Sequence, residues 1–127
     1  MILLDSSCWI EYLMGGKFAS SLEHYTTNLH ELIIPTIVFY EVDRHLLKKI
    51  EKRDVLFVTA QMIQAVVVPL DDKTARFAAG LALEHHLGMA DAVIYATALE
   101  KKAKLVTLDN DFRSLPGCFV MGSSSIS

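Results

Sequence analysis

Cysteine is scarce in this chain, and the two present, Cys8 and Cys118, have no metal-site spacing. A thiolate zinc centre is therefore excluded, and the pair is expected to be reduced and buried rather than bridged. Long apolar runs are missing too, which excludes a membrane-spanning helix. The opening Met1-Ile2-Leu3-Leu4-Asp5 has no basic start and no small-residue cleavage site, so no secretory signal is expected and the cytoplasm is the expected location. An excess of positive charge is also absent. The formal net charge is −3, which argues against a protein that coats nucleic acid nonspecifically. Glycine and proline are few, and no repeat or linker interrupts the chain.

What is present is an apolar-rich chain: 52% of 127 residues are hydrophobic and 21% charged, enough for one buried core. Residues 1–121 are expected to form a single domain, followed by a flexible Ser-rich tail over 122–127. Ile2-Leu3-Leu4, Leu32-Ile33-Ile34, Val66-Val67-Val68 and Leu105-Val106-Thr107 read as strands, and Cys118-Phe119-Val120 as a possible fifth. The run at Val66 is continuously β-branched, as in a strand covered on both faces.

Helices are expected between these strands. Ser6 and Ser7 are suited to cap one over Cys8–Leu13, stopped by Gly15-Gly16. Others are expected over Phe18–Leu29 and from Pro35-Thr36 to about Lys52. Further helices are expected over Leu56–Ala65 with Asp54 as cap, over Lys73–Leu87 ended by Gly88, and over Asp91–Ala103. Strands alternating with single helices or helix pairs imply an α/β fold: a parallel sheet of four to five strands sandwiched by helices in three layers.

Four acids stand at similar addresses along this pattern. Asp5 and Asp109 follow strands, Glu41 lies about one turn into a helix that follows a strand, and Asp91 is at a helix start. Ligands of parallel sheets bind beyond the carboxyl ends of the strands, where such side chains meet. Crowded carboxylates repel one another, and a hard divalent cation relieves that repulsion. Each acid also has a plainer reading. Asp5 can cap the next helix, Glu41 can face solvent, Asp91 can complement the helix dipole, and Asp109-Asn110-Asp111 can be a polar turn.

Taken jointly and in order, these residues resemble the PIN-domain family, and within it the VapC-like toxin ribonucleases. The resemblance covers essentially the whole chain. It rests on Leu4-Asp5-Ser6-Ser7, the Glu41 helix after Ile34-Pro35, Ala90-Asp91-Ala92-Val93-Ile94-Tyr95-Ala96-Thr97-Ala98, and Leu105-Val106-Thr107-Leu108-Asp109-Asn110-Asp111-Phe112. It implies a PIN-like fold whose acids Asp5, Glu41, Asp91 and Asp109 bind Mg²⁺ or Mn²⁺ and carry catalysis, with Ser6, Thr107 and Asp111 in support. The implied activity is metal-dependent hydrolysis of RNA by an endoribonuclease, leaving 5′-phosphate and 3′-hydroxyl ends. The implied partners are an RNA substrate, a small antitoxin protein and a second copy of the chain.

Grip on RNA is expected from Arg44, Lys48, Lys49 and Lys52. If the helix runs on to Lys52, Arg44, Lys48 and Lys52 form one row at i, i+4 spacing; the plain alternative is a solvated face. His85-His86 point in different directions on a helix and do not make a metal pair. Trp9, Tyr12 and Phe18 suit core packing better than base stacking. Two other function classes remain open: a non-catalytic PIN module that binds RNA or protein, and a different α/β phosphohydrolase. The haloacid-dehalogenase type needs a second Asp where Ser7 stands, and Lys104 is badly placed for a receiver domain.

Overall fold

The computed structural model describes residues 1–122. The expected Ser-rich tail, apart from Gly122, lies outside the described residues.

Five short strands form one parallel sheet: β1 (Ile2–Leu4), β2 (Leu32–Pro35), β3 (Val66–Val68), β4 (Lys104–Thr107) and β5 (Cys118–Val120), in the order β3-β2-β1-β4-β5. Six helices flank it in three layers: α1 (Ser6–Leu13), α2 (Ala19–Thr26), α3 (Thr36–Leu46), α4 (Lys52–Thr59), α5 (Asp72–His85) and α6 (Met89–Glu100). The chain moves one way from β1 through β2 to β3, then crosses to β4 on the other side of β1. Right-handed crossovers therefore put α1 to α4 on one face and α5 and α6 on the other. The connections leave β1 and β4 in opposite directions, so a crevice opens between their carboxyl ends. Asp5 follows β1 and Asp109 follows β4, one on each side of that crevice.

Burial explains the centre of the sheet. Leu3, Leu4, Ile33, Ile34, Leu105 and Val106 are buried in one core with Trp9, Val38, Val42, Ile94 and Phe112. The middle of α6 is interior, from Ala92 to Ala98. Its alanines let it lie close against α5, α3 and β4. Trp9 is core, as expected, and Cys8 and Cys118 are free thiols.

Several local expectations are corrected. The Val66 run is an edge strand, with Val66 41% and Val67 36% exposed. A β-branched run reports extended backbone and not how many faces are covered; its three residues and the following Pro69 suit a short edge. The helix expected to reach Lys52 ends at Leu46, and turns through Ile50 separate it from α4. Like charges at i, i+4 would oppose one another along a continuous helix, and the break lets Ile50 pack on the core. Asp54 does not cap α4; Glu51 holds that position, and Asp54 lies 3.8 Å from Arg53.

The span Phe18–Leu29 divides into α2 and a 3-10 turn at Leu29–Glu31, whose His30 amide is held by Asn28 at 3.2 Å. α5 ends at His85, the next residue His86 takes the left-handed conformation with φ 57°, and Gly88 instead stands at the N-cap of α6. α1 is capped by Asp5 rather than by Ser6 or Ser7. Its other end follows expectation: Gly15 has φ 68°, its amide donates to Tyr12 and that of Gly16 to Glu11, closing the helix.

Candidate metal centre at the strand ends

Asp5 is held from every side. It is only 3% exposed. Oδ1 accepts the amide of Cys8 at 3.2 Å and the hydroxyl of Ser7 at 2.5 Å, and Oδ2 accepts the hydroxyl of Thr107 at 2.5 Å. The cap reading and the site reading of Asp5 are therefore both realised, because a carboxylate has more than one lone pair to offer. Burial pushes its pKa up; the hydrogen bonds from Ser7, Thr107 and Cys8 pull it back, and the charge of Asp109 adds to the rise.

Thr107 links this residue to the far side of the crevice. The same hydroxyl that donates to Asp5 accepts the amide of Asp109 at 2.9 Å. Ser7 does likewise, accepting the amide of Leu108 at 3.1 Å. Two hydroxyls thus pin the segment after β4 against the segment after β1. Sequence alone assigns Ser7 only a capping role. The available signal is the doubled serine after Asp5, which places one hydroxyl toward β4 and the other toward α3.

That other hydroxyl, Ser6 Oγ, donates to Glu41 Oε1 at 2.8 Å. Glu41 sits in the second turn of α3 and is half-buried. It reaches back over the sheet edge rather than out to solvent. Asp91 lies in the first turn of α6, also half-buried. Its pKa is pushed up to about 6, first by burial and then by the charges of Asp109, Glu41, Asp5 and Asp111. The other acids singled out in the sequence thus all raise the pKa of this one carboxyl group.

The tightest grouping differs from the expected one. Asp91, Asp109 and Asp111 each offer an oxygen, and these oxygens lie within 4.8 Å of one another. Asp111, expected only in support, joins this set because its own amide donates to Asp109 Oδ1 at 2.9 Å and folds the 3-10 turn Asn110–Phe112 back on itself. Buried Phe112 anchors that turn in the core. Three carboxylates with unused oxygen lone pairs are a hard donor set that fits Mg²⁺ or Mn²⁺ and has no soft ligand for zinc or copper.

The basic residues separate into two groups. Arg44 and Lys48 line a cavity of about 300 Å³ that also contains Ser6, Glu41, Tyr40 and His45. Lys49 and Lys52 are exposed and do not line it, because the helix break turns the chain after Leu46. The expected row of Arg44, Lys48 and Lys52 on one helix is thus not formed. His85 stacks edge-on against Tyr95 at 5.9 Å, and His86 stands at the left-handed helix end, so the two do not make a metal pair.

Comparison with known proteins identifies the fold. The PIN domain family model matches residues 2–117. No curated protein sequence matches the chain. Among solved structures, the chain is similar to one from a toxin–antitoxin complex of Klebsiella pneumoniae, at 21% identity and a TM-score of 0.79, covering 94% of this chain and 97% of that one. It is similar to the Sarcin-Ricin loop cleaving toxin VapC20 of Mycobacterium tuberculosis, at 16% identity and a TM-score of 0.74, covering 89% and 93%. It is also similar to one from VapBC2 of Rickettsia felis bound to promoter DNA, at 20% identity and a TM-score of 0.71, covering 94% and 97%. At these identities the likeness establishes a shared fold.

Proposed function

We propose that this chain, which belongs to the PIN-domain family, is a divalent-metal-dependent endoribonuclease and the toxin of a toxin–antitoxin pair. The observation that carries the reading is the meeting of Asp91, Asp109 and Asp111 within 4.8 Å at the crevice between β1 and β4. A purely structural cluster would be expected to pair such acids with Lys or Arg. Among the described residues, no ion pair involves any of the three.

Asp91, Asp109 and Asp111 would hold the cation, with Asp5 and Glu41 beside them. Bound there, Mg²⁺ or Mn²⁺ supplies charge neutralisation at the phosphate and a more acidic water. The chain supplies position. Ser7 and Thr107 fix the Asp5 carboxylate, and Ser6 fixes Glu41, so that neither reorganises as charge builds. Water forms a bond to phosphorus as the bond to the 3′ oxygen breaks, leaving 5′-phosphate and 3′-hydroxyl ends.

Residues 1–121 act as one domain in this reading, working on RNA in the cytoplasm as a homodimer that a small antitoxin restrains. Support for the partner comes from the similar structure described as a toxin–antitoxin complex. Among the described residues, no helix is long and apolar enough to cross a membrane.

The test is incubation of the purified chain with single-stranded RNA in Mg²⁺, Mn²⁺ or chelator. Cleavage that needs the cation and disappears in Asp5→Asn and Asp91→Asn is the expected result. Undiminished cleavage by both folded variants would sink the assignment of the site.

A further inference from the structure

An acidic crevice repels the polyanion it is proposed to cut, and a chain of net charge −3 offers no global attraction. Local cations must therefore admit the substrate. Arg44 and His45 lie one helical turn beyond Glu41, about 5 Å along the axis, and Lys48 comes just after the end of α3, its amide donating to His45 at 3.3 Å. Residues 41, 44 and 45 share one face of α3, and Lys48 stands in the turn that follows it. Together with Ser6 they line a cavity of about 300 Å³. The plain reading is that Arg44 and Lys48 merely complement the carboxyl end of α3. That reading does not account for the cavity they share with Glu41. Nor does either cation have a carboxylate partner: among the described residues the ion pairs are those of Arg53 with Glu51 and Asp54, and of His85 with Glu84. Tyr40, 64% exposed, adds an aromatic ring to the same cavity.

We propose that this cavity is a nucleotide subsite, in which Arg44 and Lys48 hold the phosphate next to the scissile one in single-stranded RNA and Tyr40 stacks on its base. His45 adds a hydrogen-bonding group to the wall. The cavity volume is at the lower end of that of ligand clefts, in keeping with one nucleotide. Phosphate binding by the cations is sequence-independent, and stacking on an aromatic ring tolerates any base. The subsite thus supplies grip and register rather than sequence choice. This inference rests on the reading of the chain as a ribonuclease.

The experiment measures binding of a short labelled single-stranded RNA to the full chain in chelator, over a series of salt concentrations. Cleavage in Mg²⁺ is measured in parallel. The double variant Arg44→Ala/Lys48→Ala is expected to bind at least tenfold more weakly. Its slope of log affinity against log salt is expected to be shallower by about 0.7 for each phosphate that is no longer neutralised. Tyr40→Ala is expected to bind about tenfold more weakly and Tyr40→Phe nearly normally. Lys101→Ala, at the far end of α6, is the control and is expected to bind normally. Exposed Arg44 and Lys48 leave the fold intact, checked by thermal melting. Unchanged affinity and salt slope in the double variant overturn the subsite even if RNA is cleaved. Weakened binding by a chain that cleaves nothing keeps the subsite and rejects the nuclease reading. No RNA binding by the wild-type chain in chelator overturns the subsite, and no cleavage in Mg²⁺ as well rejects the nuclease reading with it.

Discussion

The hydroxyl of Thr107 donates to Oδ2 of Asp5 at 2.5 Å, joining residues 102 positions apart. That bond ties the end of β4 to the end of β1, and the acids that follow each strand are placed by it. Thr107→Val keeps the shape and removes the donor. Asp5 would then keep a buried oxygen without its partner, at a cost of about 1–3 kcal/mol in stability. Metal affinity or activity should fall about 10–100-fold, as for other residues that orient a ligand. Thr107→Ser should restore most of both. Denaturant unfolding and a metal titration of the three proteins check this; equal metal affinity in all three would contradict it.

Asp91 stands in the field of four other carboxylates. Replacing it with Asn removes one repelling charge while keeping the shape. In chelator near neutral pH, Asp91→Asn should be more stable than wild type by about 1 kcal/mol, the usual size of a single gain at a strained functional site. RNA cleavage should be lost in the same variant. A variant destabilised in chelator would show that Asp91 has a structural role instead.

The same repulsion has a defined pH dependence. Burial first, and then the neighbouring acids, push the Asp91 pKa up to about 6. A folded-state pKa above the unfolded one means that folding favours the protonated form. The stability contributed by the proton is complete below the ordinary carboxylate pKa and is lost as pH rises through about 6. The advantage of Asp91→Asn over wild type in chelator should therefore widen between about pH 4 and pH 7. Because the group is half-exposed, solvent screening reduces the size of the effect. Adding Mg²⁺ should erase the advantage, since a ligand that binds only the folded state stabilises it by mass action. Parallel melting curves at all pH values would contradict this account.

The proximity of Asp111 to Asp91 and Asp109 suggests a role for it beyond support. Asp111 is in the 4.8 Å cluster and Glu41 is not. Asp111→Asn should weaken metal binding about tenfold or more, and Glu41→Gln should weaken it less. Calorimetric titration with Mn²⁺ distinguishes them; the reverse order would restore the ranking that sequence suggests.

The sheet was legible because it follows from periodicity and topology. Strand runs at Ile2, Leu32, Val66, Leu105 and Cys118 all formed, and a parallel sheet gathers whatever follows its strands. Local endings were less legible. The break after Leu46 depends on Ile50 finding the core, a tertiary contact that the row of lysines conceals. The exposure of Val66 depends on strand order, which composition does not encode. The roles of Ser7 and Asp111 depend on single hydrogen bonds, to Asp5 and Leu108 and to Asp109, between groups whose spacing in sequence says little about their orientation.

Diffraction from a crystal soaked in Mn²⁺, with the metal located by its anomalous signal, tests the central claim most directly. A peak is expected within coordination distance of carboxylate oxygens of Asp91 and Asp109, with Asp111 beside it, and it should disappear in Asp91→Asn. No peak among these acids, or one bound elsewhere with the crevice empty, would contradict it.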